Sequence, residues 1–203
     1  MQQFCDNWSD FTNLISEDNL QNWRSDFDLY CASPGRIALY ASLFFVGFTL
    51  ASPFLLRLSD SVGRKILLLV SIVAHILILL LILFISSYIR SLLYLYMFLL
   101  GLKAPLTEQV SYVLLSELTP TNKREGFSSL LRTIDAASSL LVVGIFAVSH
   151  NWRTLFLFTL IECGVLLILI ALLVPGSPLL YASQGNYERA RAIYERIANL
   201  TRQ

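Results

Sequence analysis

Six ionisable side chains lie inside long apolar stretches of this sequence, where a charged group is costly. They are His75, Lys103, Glu108, Arg132, Asp135 and Glu162. Placing an ionised side chain at the centre of a membrane helix costs about 2.5–3.5 kcal/mol on insertion scales. If the stretches around them cross a membrane, each residue is therefore a candidate for contact with a ligand or a proton.

One of these stretches has a polar stripe. Its polar residues follow one another at helical spacing: Ser128, Arg132, Asp135 and Ser139. In a helix this spacing places all four side chains on one face, and in a membrane that face must contact protein or water. Arg132 and Asp135 are three residues apart, so they can also pair with each other in a purely structural role.

A second stretch contains both a base and an acid. Glu108 shares a helix face with Tyr112, and Pro105 lies between Lys103 and Glu108. A proline removes one backbone hydrogen bond and permits a kink, which can bring the two charges closer together. A buried ion pair of Lys103 with Glu108 or with Asp135 is the structural alternative to a role in binding.

The composition agrees with helices that cross a membrane. The chain has 203 residues, of which 56% are hydrophobic and 14% charged, with a net charge of +1. Soluble domains have about 45–50% apolar and about 25% charged residues. This composition excludes a disordered chain, a coiled coil, a disulfide-rich secreted module and a basic nucleic-acid binder.

Three cysteines are too few for a disulfide framework, and Cys5 and Cys31 either pair or remain free thiols.

Apolar blocks of about 20 residues, the length that crosses about 30 Å of hydrocarbon, predict membrane spans. We place five spans at about 37–57, 66–88, 92–116, 127–149 and 153–174. Short polar loops separate them, so we predict an all-α, multi-pass helical bundle over 36–174. Residues 1–35 form an outer loop segment, and residues 175–203 form a tail with a short amphipathic helix or, alternatively, a frayed end.

The distribution of charge predicts the orientation. Nine Lys and Arg residues lie on the side of the loops at 58–65 and 117–126 and of the tail, against four on the other side. Positive charge favours the cytoplasmic side, so we expect a cytoplasmic C-terminus. The first 30 residues carry six carboxylates and one arginine, and we place them outside. We identify no signal peptide, so an outside N-terminus with five spans predicts a helix missing upstream.

The loop between the first two spans has a recognisable motif. Residues 58–65 read LSDSVGRK, in which Gly63 permits a tight turn, Asp60 can cap a helix and Arg64 can bind a carboxylate through two donors. The loop resembles the D-x-x-G-R-[KR] signature between the second and third helices of the major facilitator superfamily. An ordinary helix hairpin with capping and cytoplasmic positive charges is the alternative.

Two further segments resemble the same family in the same order. Glu117, Pro120 and Arg124 match the E-x-x-P-x-x-x-R segment that closes the family's fourth helix. Trp152 and Arg153 open the last span, and the sequence PGSP at 175–178 ends it where the sugar porter and organic ion branches have P-E-S-P-R. These motifs and the five spans indicate a member of the superfamily.

The segment from Cys31 to Lys65, with SLFFVG at 42–47, resembles the organic cation and organic ion branch most. The resemblance extends over about 28–200 and implies that the five spans are family helices two to six, so the chain is an incomplete N-terminal half of the major facilitator fold. Four residues depart from the family pattern: Leu56, Ser61, Gly176 and Leu179. Leu56 puts close helix packing in doubt, and Gly176 and Leu179 put part of the cytoplasmic charge network in doubt.

The resemblance also implies a binding site, because the family's helices two, four and five line a central cavity. Glu108 lies about 13 Å in from Glu117 along the helix, close to the membrane midplane. The candidates for contact with substrate or a coupling proton are Lys103, Glu108, Tyr112 and Asp135. His75 and Glu162 fall on peripheral family helices, and we assign them structural roles.

A second group of residues lies at the predicted cytoplasmic ends of the helices. The resemblance implies a charge network that stabilises one conformation and breaks in the other, formed by Asp60, Gly63, Arg64, Glu117 and Arg124. Such a network suits alternating access, in which two helical bundles rock about a site at the midplane.

These observations predict a plasma-membrane transporter of a small organic solute, here a fragment that does not transport alone. Its expected partners are the solute, the bilayer, the missing first helix and a C-terminal six-helix half, with no nucleic acid. The alternative is a non-transporting membrane subunit or assembly element derived from a half-transporter. The sequence has no pattern of an enzyme site, no metal-ligand spacing and no cofactor motif, so we expect no enzyme, metal or cofactor.

Overall fold

The computed structural model describes residues 26–27, 29–84, 91–120, 122–174, 176, 181, 185, 187–188 and 191–195. A short 3-10 turn at Leu29–Cys31 precedes five helices. They are α1 (Pro34–Val62), α2 (Arg64–Phe84), α3 (Leu92–Leu118), α4 (Arg124–Val148) and α5 (Trp152–Leu173). The part of the chain that the structure describes contains no strand, so the all-α prediction is confirmed.

The helix ends follow from local chemistry. Pro34 begins α1, the position where its missing N–H is not needed. Gly63 alone separates α1 from α2 and has φ 104°, a conformation that favours glycine. At the start of α5, the Asn151 side chain accepts a hydrogen bond from the Arg153 N–H at 2.9 Å.

Four of the helices are long and apolar enough to cross a membrane, and these are α1, α2, α4 and α5. The fifth, α3, contains Lys103 and Glu108 in its middle and is not among the helices that meet this criterion within the described residues. Its 27 residues would extend about 40 Å, more than the roughly 30 Å of hydrocarbon. The predicted span at 92–116, which α3 contains, stays a prediction.

α3 is the central helix of the bundle and packs along α1 and against α2, while α2 also packs against α5. The closest approach is at two glycines, Gly47 of α1 and Gly101 of α3. A Cβ atom at Gly47 would lie 2.6 Å from the Phe98 carbonyl oxygen, and one at Gly101 would overlap the Phe44 carbonyl. Despite the departure at Leu56, whose side chain lies outside the described part, α1 and α3 therefore pack with their backbones nearly in contact.

One cluster of buried side chains lies at the end of the bundle where α5 begins. It consists of Phe27, Leu29, Tyr40, Ile78, Ile82, Leu93, Tyr96 and Trp152. Asp26 joins this cluster to α5, because its Oδ2 accepts a hydrogen bond from the Trp152 indole at 2.9 Å and lies 3.4 Å from the Arg153 guanidinium. The segment before α1 is thus held against the start of α5.

α4 differs from the other helices because none of its residues is buried. It contacts α3 and α5 only loosely. Its apolar side includes Leu140, Leu141 and Val143, which are 74%, 69% and 66% exposed. An apolar helix surface of this kind is suited to lipid or to further protein.

Two predictions fall partly on residues that are not described. Cys31 is disulfide-bonded, so the alternative with two free thiols is wrong, whereas its candidate partner Cys5 lies outside the described residues. Within the tail at 175–203, the stretches 187–188 and 191–195 are helical, and the remaining positions of the predicted amphipathic helix lie mostly outside the described part.

Candidate functional site

A cavity of about 660 Å³ lies between α3 and α4, and most of the candidate residues line it. We call it the α3–α4 cavity and define it by its lining residues: Thr107, Glu108, Gln109, Ser111, Tyr112, Val113, Leu131, Arg132 and Asp135. The spacing on each helix explains this set. Positions 108, 111 and 112 share one face of α3, and positions 131, 132 and 135 share one face of α4.

The predicted pair of Arg132 with Asp135 does not form: no ion pair within 4 Å joins them in the described part of the chain. Instead, the Arg132 guanidinium lies 6.0 Å from the centre of the Tyr112 ring, a cation–π contact between α4 and α3. Because Arg132 contacts the ring, the carboxylates of Glu108 and Asp135 stay available on the cavity wall.

Lys103 lies on a different side of α3. Its side chain lines an apolar cavity of about 560 Å³ formed with α1 and α2, and its Nζ donates to Thr107 Oγ1 at 3.3 Å. The Thr107 hydroxyl also lies 2.6 Å from Ser71 Oγ on α2. The structural alternative for Lys103, an ion pair with Glu108 or Asp135, is absent among the described contacts within 4 Å. Thr107, which lines the α3–α4 cavity, connects Lys103 to it by one hydrogen bond.

Four polar residues of the cavity wall were missing from the predicted site: Thr107, Gln109, Ser111 and Arg132. Arg132 was among the ionisable residues inside the spans but was not carried into the predicted site, because it was interpreted as a possible partner of Asp135. Gln109 was not considered, and its Oε1 is buried without a hydrogen-bond partner in the described structure. A glutamine one residue after Glu108 in an apolar helix was the only sequence signal for it.

The two peripheral residues differ in their surroundings, because His75 contacts α5 and Glu162 does not face the bundle core. Cys163 Sγ of α5 lies 3.6 Å from His75 Nδ1 of α2, and Cys163 is buried in the cluster that joins α2, α3 and α5. Glu162 is exposed on α5. The roles of both ionisable residues stay predictions.

A second site forms at the end of the bundle where α1 meets α2. The Arg64 guanidinium forms an ion pair with Glu117 near the end of α3 and another with Asp60 of α1 at 3.0 Å. We call Asp60, Arg64 and Glu117 the latch, and this end of the bundle the latch end. The turn at Gly63 places Arg64 at the first position of α2, between the two carboxylates.

Burial distinguishes the two ion pairs of the latch. The side chains of Arg64 and Glu117 are 15% and 13% exposed, whereas that of Asp60 is 69% exposed. The pair of Arg64 with Glu117 is therefore the stronger contact, because water screens exposed pairs. Arg124, also predicted in this network, is exposed at the first residue of α4, and no ion pair of it is found among the described residues.

The geometry thus consists of a mixed-charge cavity between two long helices and an ion-pair network at one end of the bundle. A search of curated proteins found no match to this chain. The model of the family described as Major Facilitator Superfamily matches residues 11–197, nearly the whole sequence. The chain is therefore an integral, multi-pass membrane protein that belongs to the major facilitator superfamily, a family of membrane transporters of small solutes.

Proposed function

We propose that this chain is part of a carrier that moves a small organic ion across a membrane by alternating access. The observation that carries this proposal is the α3–α4 cavity, which combines the carboxylates of Glu108 and Asp135, the Arg132 guanidinium and the Tyr112 ring. Charged and aromatic groups in the same cavity suit a solute that has both a charge and an apolar body.

Each candidate residue has a distinct role in this proposal. Glu108 and Asp135 bind a charged group of the solute or a coupling proton, and Tyr112 contacts its apolar part. Lys103 acts through Thr107. The Thr107 hydroxyl accepts a hydrogen bond from the Lys103 ammonium, and Thr107 lines the α3–α4 cavity. The resemblance of the segment from Cys31 to Lys65 supports the organic ion branch.

The polar stripe of α4 supports the proposal that further helices complete the site. Arg132, Asp135 and Ser139 are exposed on α4, and Ser128 is partly exposed. Exposed ionised groups in hydrocarbon are costly, so this face needs a covering of protein and water. The family's first helix and its C-terminal six-helix half, from the same chain or a partner chain, would provide this covering. We therefore propose that these 203 residues alone do not transport.

The latch supports the alternating-access mechanism. In the proposal, the ion pairs of Arg64 hold the ends of α1, α2 and α3 together in one conformation and break in the other. The excess of Lys and Arg near this end supports its placement on the cytoplasmic side, with the N-terminal segment outside. The plasma membrane is the location that we propose.

The proposal is tested by uptake into proteoliposomes. A panel of radiolabelled organic cations and anions is offered to the 203-residue chain and to a longer protein in which the proposed first helix and C-terminal six-helix half are joined to it. We expect uptake by the longer protein only. Robust uptake by the 203-residue chain would contradict the fragment proposal. Copurification at fixed stoichiometry with other subunits, without uptake, would favour a non-transporting assembly role.

A further inference from the structure

Lys65, the residue after Arg64, connects two helices that the latch does not join. Its Nζ donates a hydrogen bond of 2.9 Å to the carbonyl oxygen of Ala171 in the last turn of α5. Lys65 lies at the second position of α2. The contact therefore joins the start of α2 to the end of α5 at the latch end of the bundle.

The chemistry of the α5 end explains why this carbonyl accepts a side chain. In an α-helix, the Ala171 oxygen would accept from the N–H of residue 175. Residue 175 is a proline, which has no N–H. The preceding carbonyl, that of Ile170, has its ordinary partner in the Val174 N–H at 3.3 Å. The Ala171 carbonyl is thus the one that lacks its usual backbone donor, because residue 175 is a proline.

A cation is a favourable donor at this point. The last carbonyls of a helix carry partial negative charge, and a lysine side chain near them forms a hydrogen bond and a favourable dipole interaction. The sequence PGSP at 175–178 has Gly176 where the family pattern has an acidic residue. Lys65 has no carboxylate partner within 4 Å in the described part of the chain, and the α5 backbone supplies the acceptor instead.

We propose that Lys65 is a positioning residue that extends the latch to α5, using the carbonyl that Pro175 leaves without a backbone donor. Arg64 holds the ends of α1 and α3, and Lys65 holds the end of α5, so two consecutive residues of α2 tie four helices together. The consequence for transport, that α5 moves with the latch, rests on the alternating-access function proposed above.

The test is amide hydrogen exchange at the end of α5, measured by mass spectrometry on the 203-residue chain in lipid nanodiscs. Lys65→Met keeps an unbranched side chain that is one heavy atom shorter and removes the donor. We expect exchange in the last turn of α5 to become about 3-fold to 10-fold faster, the range for the loss of one net hydrogen bond. Lys65→Arg, which keeps a cationic donor, should stay within about 2-fold of the unmodified chain.

The decisive control is Pro175→Ala, which restores the backbone N–H for Ala171. In this background, Lys65→Met should change exchange by less than about 2-fold, because the carbonyl now has a second donor. The Pro175→Ala change alone should slow exchange in the last turn.

An equal effect of Lys65→Met in both backgrounds would overturn the inference, as would no effect in the unmodified one. An unchanged rate in the Pro175→Ala variant would also contradict it. The readout needs neither uptake nor the ion pairs of Arg64, so a failure here is distinguishable from a failure of the proposed transport function.

Discussion

The two carboxylates of the latch should contribute unequally to stability, although both contact Arg64. We consider Glu117→Gln and Asp60→Asn, which remove one negative charge each and keep the shape of the side chain. Both pairs share the same guanidinium, so the comparison isolates the environment of the carboxylate. Glu117 is 13% exposed and Asp60 is 69% exposed.

The magnitudes follow from this difference. Removing one partner of a fully buried ion pair costs about 3–5 kcal/mol, because the other charge stays buried without compensation. Arg64 and Glu117 retain some contact with solvent, and a glutamine still accepts a hydrogen bond, so we expect about 2 kcal/mol for Glu117→Gln. Asp60 and Arg64 form an exposed pair four residues apart, for which about 0.3–0.5 kcal/mol is typical.

The assay is reversible unfolding of the 203-residue chain in mixed micelles, followed by circular dichroism as the fraction of denaturing detergent rises. The free energy of unfolding should fall at least about 1 kcal/mol more for Glu117→Gln than for Asp60→Asn. Added salt should reduce the effect of Asp60→Asn further, since exposed charges are screened. Equal losses for the two variants would refute the argument from burial.

Two further predictions concern helix contacts. Gly101→Ala should destabilise the bundle by about 1–3 kcal/mol in the same assay, because the added methyl overlaps the Phe44 carbonyl. Its control is Gly144→Ala on α4, where the added methyl meets nothing within 4 Å and should not reduce stability. Similar losses for both glycine variants would contradict the close approach of α1 and α3. Trp152→Phe removes the indole donor to Asp26 and should cost about 1–2 kcal/mol, and Asp26→Ala, which removes the acceptor, should cost less in that background than in the unmodified chain. Additive losses of Trp152→Phe and Asp26→Ala in a double-mutant cycle would count against this hydrogen bond.

The sequence allowed the helices to be predicted for physical reasons, whereas the charge network at the latch end was implied by the resemblance to the superfamily. A run of about 20 apolar residues has few alternatives to a membrane helix, because every backbone polar group must be bonded within it. The single glycine between α1 and α2 and the motif around it determine that Arg64 begins a helix close to Asp60. Spacing within one element is readable from sequence because its geometry is fixed.

The contacts of the candidate site were less predictable, because they depend on how separate helices meet. The position of α3 brings Tyr112 within reach of Arg132, so the guanidinium contacts a ring instead of Asp135. Lys103 likewise bonds to Thr107 on its own helix, and nothing in the sequence ranked that hydroxyl above the two carboxylates. The spacing that places residues on one face does not determine which of them pair across helices.

The central claim is that the α3–α4 cavity binds the transported solute, and uptake by charge-neutral variants tests it most directly. The measurement is initial uptake of the best-transported organic ion by the longer protein carrying Glu108→Gln, Asp135→Asn or the control Glu125→Gln. Glu125 is an exposed acid in the first turn of α4 and does not line the cavity. We predict a loss of about 10-fold or more for each cavity variant, the effect of removing one charged contact, and uptake near that of the unmodified protein for Glu125→Gln. Unchanged uptake in both cavity variants, at equal amounts of protein in the membrane, would contradict the account.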